Sequence, residues 1–303
     1  MVDMNTLFDL QITIFCLMLA GYLLTKLNVL TLDARKPLSG LLINFILPCN
    51  IIVSFMIDLN HSILKDCIVI FLVSTCIQIF SAVAGHFLYP GAQKEKLSVL
   101  QYGTLVSNAG FMGNPIAQGL YGMQGLLYAS VYLIPQRIVM WSAGVTCFTG
   151  NRGKNVIKKI CTHPCIIAVV IGLMIMLAQI DLPSGLDKTV HYASDCTTAV
   201  SMIVIGNILA GVDKREIINK DIFWFCLVRL LLIPLIVLAC CRLVHMDEFI
   251  TNVSVVLAGM PAAATTAILA AKYDGDASFA AEIVFLSTLL SLITVPILCV
   301  IMM

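Results

Sequence analysis

Residues 101–122 read QYGTLVSNAGFMGNPIAQGLYG, a mostly apolar stretch that is long enough to cross a membrane but poorly suited to one continuous helix. Pro115 removes a backbone donor and clashes with the turn before it, and five glycines lower the helix propensity of the stretch. A break is therefore predicted between Asn108 and Pro115. Asn114 followed by Pro115 is also typical of a helix start, so a second half-helix is expected to begin inside the membrane.

A similar interruption is predicted near the end of the chain. Residues 257–273 read LAGMPAAATTAILAAKY, in which Pro261 is followed by small side chains that allow close approach of backbones. Asn108 lies twelve residues beyond Lys96, and Pro261 lies thirteen residues beyond Glu248. At ~1.5 Å per residue, both breaks fall ~18 to 20 Å along their spans, near the middle of the hydrocarbon layer.

Two broken helices in corresponding positions predict a binding site, whereas a single proline is usually only a kink. Backbone groups freed by a break cannot face lipid, so they must line a protected, wettable cavity. Each second half-helix would point its partially positive N-terminus at that cavity, which suits an anion such as a carboxylate. The residues expected to bind the anion at the breaks are Asn108, Gly110, Gly113, Asn114, Pro115, Pro261, Ala262 and Ala263.

The composition also indicates a membrane protein. Of the 303 residues, 60% are hydrophobic and 12% are charged, and the mean hydropathy is +0.99, so the chain has too little polar surface for a water-soluble globule. The net charge of +1 argues neither for nor against a nucleic-acid partner, but no Lys/Arg cluster is dense enough to form an anion-attracting surface patch, so no nucleic-acid partner is expected. We expect the lipid bilayer as the surrounding partner.

Ten apolar runs are long enough to span that bilayer. They lie near 7–25, 38–57, 67–88, 98–121, 125–149, 164–180, 190–211, 218–241, 249–272 and 277–302. With ten spans, thirteen Lys and Arg residues fall in one set of loops and three in the other. The basic loops belong in the cytoplasm, so the sequence predicts a multi-pass protein of the cell membrane with both termini outside.

The ten spans divide into two halves at the basic loop near Asn151. Residues 1–150 form the first five-helix repeat, and 151–303 form the second. An odd number of spans in each half forces opposite orientations, which is typical of inverted-repeat transporters. The predicted fold is an all-α integral membrane protein with ten transmembrane helices in a 5+5 inverted repeat, broken at spans four and nine.

At these residues the chain resembles the auxin efflux carrier family, which includes plant auxin exporters and bacterial transporters often described as malate permeases. The resemblance is carried, in order, by LINFILPCNIIVSFM at 42–56, NAGFMGNPIAQGLYG at 108–122, HPCIIAVVIGLMIMLAQIDLP at 163–183, MPAAATTAILAAKYDGD at 260–276 and LSTLLSLITVPIL at 286–298. The resemblance covers nearly the whole chain. The auxin efflux carrier family belongs to the bile-acid symporter-like superfamily of inverted-repeat proteins.

The resemblance implies that Asn108, Asn114, Pro115 and Pro261 sit at a crossover where the substrate binds. It also implies a core domain of spans 3–5 and 8–10 that slides as an elevator against a scaffold of spans 1, 2, 6 and 7. A homodimer through the scaffold, and coupling to protons or sodium, are left open.

Several other polar residues lie within spans. Arg137 and Arg229 are deep enough that each must face the protein interior or water, and either could balance an anion. The alternative is a structural role, pairing with carbonyl oxygens or with an acid such as Glu282. Glu282 could itself carry a coupling proton or reach cytoplasmic water. Asn50 in span two is expected on the scaffold side of the cavity.

Other functional classes are weaker fits. An intramembrane enzyme would need a nucleophile or metal constellation such as HExxH or GxSxG, which the sequence lacks. The histidines show no metal-ligand spacing, so no metal or cofactor is expected. A sodium-coupled symporter of the bile-acid type and a non-transporting receptor on the same fold remain alternatives to a transporter of small organic anions.

Overall fold

The computed structural model describes residues 4–302, apart from 59, 150–157, 159–160, 212–219 and 274. Regular structure in these residues is helical throughout. The helices are α1 (Met4–Lys26), α2 (Arg35–Leu41), α3 (Leu47–Ser54), α4 (His61–Phe87), α5 (Lys94–Leu105), α6 (Asn114–Trp141), α7 (Ala143–Thr149), α8 (Pro164–Ala178), α9 (Ser184–Ala210), α10 (Lys220–Leu227), α11 (Ile233–Leu243), α12 (Glu248–Ala258), α13 (Thr265–Lys272) and α14 (Ala277–Met302).

Six helical stretches of the described chain are long and apolar enough to cross a membrane. They are Phe8–Lys26, Leu32–Ser54, His61–Phe87, Ser184–Ala210, Lys220–Leu243 and Ala277–Met302. Pro164–Ala178 and Glu248–Ala258 are shorter apolar helices. The prediction of an all-α protein with several membrane-spanning helices is confirmed at this level, while the ten-span inverted repeat stays a prediction.

Within the described residues, three π turns lie directly before a helix, and each ends two residues before a proline. They are Leu42–Ile46 before Pro48, Ala109–Gly113 before Pro115, and Val228–Leu232 before Pro234. Proline has no N–H, and its ring pushes against the carbonyl of the preceding turn, so a widened turn accommodates it without ending the helix.

This effect of proline moves the first break away from its predicted position. α5 ends at Leu105, the backbone is extended at Val106 (φ −117°, ψ 109°), and helical winding resumes at Ala109. Asn114 is therefore not the predicted helix cap, because it lies inside the wound chain with φ −58° and ψ −51°. The π turn absorbs Pro115, so the unwound segment lies before the turn and not at the proline.

A glycine also divides α6. Gly122 has φ 64° and ψ −155°, a conformation that residues with a Cβ rarely adopt. It separates residues 114–121 from residues 123–141, which correspond to predicted spans four and five.

The helices pack in two groups. α1 lies along α9, and α3 contacts both α8 and α9. The contact between α1 and α9 depends on two glycines, because a Cβ on Gly21 or on Gly206 would overlap the backbone of the other helix. In the second group α4 contacts α5, α6 and α12, while α14 contacts α10 and α13.

Candidate functional site

The two unwound segments cross and pair with each other. α12 ends at Ala258 and α13 begins at Thr265, so this second break faces the first break after Leu105. Ser107 and Ala262 form an isolated antiparallel bridge. The N–H of Asn108 donates to the carbonyl of Pro261 at 2.8 Å, and the N–H of Ala263 donates to the carbonyl of Val106 at 3.2 Å. Each break thus satisfies part of the other's freed backbone, as the low polarity of the site requires.

One face of this crossing is closed by a buried arginine. Arg229 is 3% exposed and lies in the π turn between α10 and α11. Its Nε donates to the carbonyl of Met260 at 3.0 Å, and its Nη1 donates to the carbonyl of Thr104 at 2.9 Å. The guanidinium therefore ties the last turn before the first break to the unwound segment of the second break.

Further side chains complete the backbone bonding at the crossing. The amide Nε2 of Gln136 donates to the carbonyl of Ser107 at 2.7 Å, while the hydroxyl of Ser107 donates to Oε1 of Gln136 at 2.9 Å. The N–H of Ala262 donates to the hydroxyl of Ser287 at 3.2 Å. These bonds hold both unwound segments in defined positions.

The other face of the crossing borders a cavity of ≈ 90 Å³. Most of its lining is apolar, including Ile43, Leu47, Phe111, Leu133 and Met140. Its polar lining comprises Ser107, Asn108, Gln136, Arg137, His163 and Thr265. A cavity of this size holds several water molecules or a small carboxylate, because about 10–15 Å³ of such volume suffices for one water.

Two helix starts border the same cavity. Asn108 immediately precedes the turn that begins at Ala109, and Gly110 and Phe111 line the cavity. Ala264 precedes α13, and Ala264 and Thr265 line it from the other segment. The first N–H groups of a helix have no partner within it, and they carry partial positive charge. Both ends therefore favour a negative charge in the cavity.

Arg137 adds a full positive charge. It is 6% exposed, and its Nη1 has no hydrogen-bond partner among the described residues. A buried guanidinium nitrogen without a partner is costly, and a bound anion is one way to satisfy it.

His163 lies beside this charge at the start of α8. Its Nδ1 accepts a hydrogen bond from the N–H of Cys165 at 3.2 Å and so caps the helix. Burial, together with the charge of Arg137, lowers the pKa of His163 to about 4. At neutral pH the imidazole is therefore uncharged, and Arg137 is the cationic side chain among the described residues of the cavity lining.

Comparison with known proteins decides the family. The model of the membrane transport protein family matches residues 7–159 and 148–299 of this chain. The chain belongs to this family. The match confirms the resemblance to auxin efflux carriers drawn from the sequence, and with the apolar helices it makes this protein a multi-pass membrane transporter and not an enzyme.

Two archaeal relatives agree with the family. The transporter is 27% identical over 294 residues to an uncharacterised transporter of Methanothermobacter thermautotrophicus, a match that covers 94% of this chain and 95% of the relative. It is 23% identical over 300 residues to an uncharacterised transporter of Methanocaldococcus jannaschii, covering 95% and 96% of the two chains.

The structure of the transporter brings four of the predicted site residues to the cavity. They are Asn108, Gly110, Ala263 and Arg137. Asn108 is buried, and Gly110 has no neighbouring atom within 4 Å of an added Cβ. Pro261 and Ala262 take part in the pairing of the two segments through their backbones, and Pro115 follows the π turn.

The remaining predicted residues lie away from the cavity. Gly113 packs against Leu257 and Met260. Asn50 donates to the hydroxyl of Ser194 at 3.0 Å, and Asn114 donates to Oδ1 of Asn50 at 3.4 Å.

Arg229 and Glu282, which the sequence suggested for coupling or for a structural charge, also lie outside the described lining of the cavity. Arg229 bonds carbonyl oxygens, which is the structural alternative considered for it. Glu282 is buried in α14, and its Oε1 accepts a hydrogen bond from Ser278 at 3.2 Å.

Sequence reasoning missed Ser107, Gln136, His163 and Thr265 as cavity residues. Ser107 and Thr265 adjoin the predicted breaks, so their position along the chain was an available signal. Gln136 precedes Arg137 in a span already known to carry a buried charge. Nothing in the sequence places His163 there, because its position depends on how the start of α8 packs against α6.

Proposed function

We propose that this transporter carries a small organic anion, bound through its carboxylate in the cavity beside the crossing. The observation that carries the proposal is Arg137, a buried cation whose Nη1 has no partner in the described structure. Charge-assisted hydrogen bonds to guanidinium are among the strongest polar contacts in proteins, so a carboxylate is the natural ligand.

The rest of the cavity supports an anion with a single charge. The helix starts at Ala109 and Thr265 add partial positive charge, and neutral His163 adds none. Most of the remaining lining is an apolar wall, which includes Leu133 and Met140 on the same helix as Arg137. A second carboxylate would lie against this apolar wall without a partner, at a cost in free energy.

We further propose alternating access on a ten-span inverted repeat, with both termini outside the cell membrane. The scaffold comprises spans 1, 2, 6 and 7, and the core comprises spans 3–5 and 8–10, which moves as an elevator. The two packing groups of helices support this division. The cavity is lined by His163 and Cys165 at the start of α8, the end that the predicted topology places in the cytoplasm, so we infer an inward-facing state.

Buried contacts between the proposed core and scaffold support the same state. Asn114 donates to Asn50, and the hydroxyl of Ser54 donates to that of Ser130 at 3.0 Å. Asn50 and Ser54 are one helical turn apart on α3. Substrate release to the other side would require these bonds to break. A homodimer through the scaffold stays a prediction.

The test is transport by the purified protein in liposomes, with a panel of radiolabelled mono- and dicarboxylates. Each is measured with and without imposed proton and sodium gradients, which separates a uniporter from a proton- or sodium-coupled carrier. We expect uptake of monocarboxylates in preference to dicarboxylates, and a large loss of uptake in Asn108→Ala. Unchanged transport in Asn108→Ala would exclude the proposed site, and binding without any transport would favour a receptor.

A further inference from the structure

A second pocket lies at the ends of the helices, away from the crossing. It has a volume of ≈ 560 Å³ and is formed by residues 88–93, between α4 and α5, together with the start of α10. Gly91 allows the tight turn in this segment through its φ of +84°, with open space around its Cα. The anion proposed for the crossing does not account for this pocket.

The described residues that line this pocket carry a net positive charge. Among the described lining residues, Lys96 and Lys220 are basic and Asp221 is acidic. Tyr89 also lines the pocket, and burial raises the pKa of its hydroxyl to about 12, so the phenol stays neutral. Lys96 is held in place, because its Nζ lies 5.0 Å from the ring centroid of Phe279.

The position of the pocket along the helices indicates the level of the lipid headgroups. Trp224 lines it, is 44% exposed, and donates its indole N–H to the carbonyl of Leu88 at 2.9 Å. Tryptophan is enriched at the boundary between hydrocarbon and water, where its ring is apolar and its N–H is bonded. Phe87 and Phe223, both more than half exposed, flank the pocket on adjoining helix positions. An apolar belt therefore meets two ammonium groups at one place.

We infer that this pocket binds an anionic phosphate group, supplied by the headgroup of a membrane phospholipid. Lysine binds phosphate as a point charge, and basic pockets between spans at the cytoplasmic surface suit anionic headgroups. The predicted topology places Lys96 and Lys220 on the cytoplasmic side. The exposed faces of Phe87 and Trp224 would accommodate the glycerol and the first carbons of the acyl chains.

The test uses the full-length protein in a neutral detergent and native mass spectrometry. The probes are dioctanoyl phosphatidylglycerol, dioctanoyl phosphatidylcholine and sn-glycerol 1-phosphate. Phosphatidylglycerol should bind at least about tenfold more tightly than phosphatidylcholine at low salt, because each lysine contributes about fivefold. Salt should weaken the preference, since the lysines are partly exposed.

Three variants assign the preference to the pocket. Lys220→Gln, which leaves the contact between Lys96 and Phe279 intact, should reduce it about fivefold, and the double variant Lys96→Gln with Lys220→Gln should abolish it. Lys65→Gln removes an exposed lysine outside this pocket and should change nothing. If sn-glycerol 1-phosphate binds as tightly as phosphatidylglycerol, and if this binding depends on the two lysines, the phosphate site belongs to a soluble ligand. Equal binding of the two lipids, or a preference that survives in the double variant, would overturn the inference.

Discussion

The two faces of the crossing carry the same residue type in opposite situations. Arg229 on one face donates from Nε and Nη1 to carbonyl oxygens of both broken helices. Arg137 on the other face is almost equally buried, yet its Nη1 has no partner in the described structure and it lines a cavity. Depth in the membrane is therefore no guide to the role of a charge. What distinguishes the two arginines is whether the protein itself satisfies the guanidinium.

The largest effect is expected from removing the satisfied arginine. Arg229→Met leaves the carbonyls of Thr104 and Met260 buried without a donor, at about 1–3 kcal/mol each. We expect Arg229→Met to lose folded protein on heating in detergent at a markedly lower temperature than the wild type, as measured by size-exclusion chromatography after heating.

Arg137→Met is the matched control for that experiment. Removing a buried charge whose Nη1 has no partner should leave the stability unchanged or raise it. If Arg137→Met were the less stable of the two variants, the assignment of structural and binding roles would be reversed.

Ligand binding, in contrast to stability, should depend on Arg137 more than on Arg229. Arg137→Gln removes the proposed partner of the carboxylate, so the affinity for the best-transported monocarboxylate should fall by about 10- to 100-fold. The measurement is isothermal titration of the purified protein. Arg242→Gln is the control, because Arg242 is exposed and donates to the carbonyl of Ile301 at 3.2 Å, away from the cavity. Equal affinity in wild type and Arg137→Gln would exclude Arg137 as the anion partner.

A steric change sharpens the comparison without altering charge. Gly110 lines the cavity with no atom within 4 Å of an added Cβ, and its φ is not in the left-handed region. Gly110→Leu should therefore fold, and its side chain should fill much of the cavity. We expect uptake to fall at least about tenfold, which is the size of effect that losing one charged hydrogen bond to the substrate would have.

Gly185→Leu provides a matched substitution at an exposed position in α9 that also has open space around it. It should transport as the wild type does. Full uptake by Gly110→Leu would show that the substrate does not occupy this cavity.

The smallest effect concerns His163, whose pKa is lowered in the folded protein to about 4 from 6.5. The unfolded chain takes up a proton near pH 6.5, and the folded chain does so only near pH 4. His163 therefore does not affect stability above pH 6.5, and it lowers the free energy of unfolding progressively as the pH falls from 6.5 towards 4. His163→Asn keeps a helix-capping acceptor but does not titrate, so its melting temperature should fall less between pH 7 and pH 5 than that of the wild type. Identical pH profiles would mean that burial and the charge of Arg137 do not hold His163 neutral.

The sequence predicted the existence of both breaks because proline and glycine act locally on the backbone. Pro115 and Pro261 remove donors wherever they lie, and the distance along each span fixes the depth. The sequence did not place the first break correctly, because the π turn at Ala109–Gly113 absorbs the missing bond of Pro115. That outcome depends on how the turn packs, which neighbouring residues along the chain do not determine.

The partners at the crossing were beyond sequence reasoning for a related reason. Arg137 and Arg229 both lie deep within apolar spans, where a charge must face the protein interior or water. For each arginine the sequence therefore left open whether it binds the anion or has a structural role. Only the tertiary contacts, with Met260 and Thr104 for Arg229 and with the cavity for Arg137, separate them. Asn114 likewise looked like a cap and instead donates to Asn50 from a different span.

The most direct test of the account is an experimental structure of the protein with a bromine-labelled monocarboxylate such as 3-bromopropionate, located by anomalous scattering. The account predicts one bromine peak in the cavity, with the carboxylate within about 3 Å of the Arg137 guanidinium and the two unwound segments paired at Ser107 and Ala262. Continuous helices through both segments, or a bound carboxylate elsewhere with this cavity empty, would contradict it.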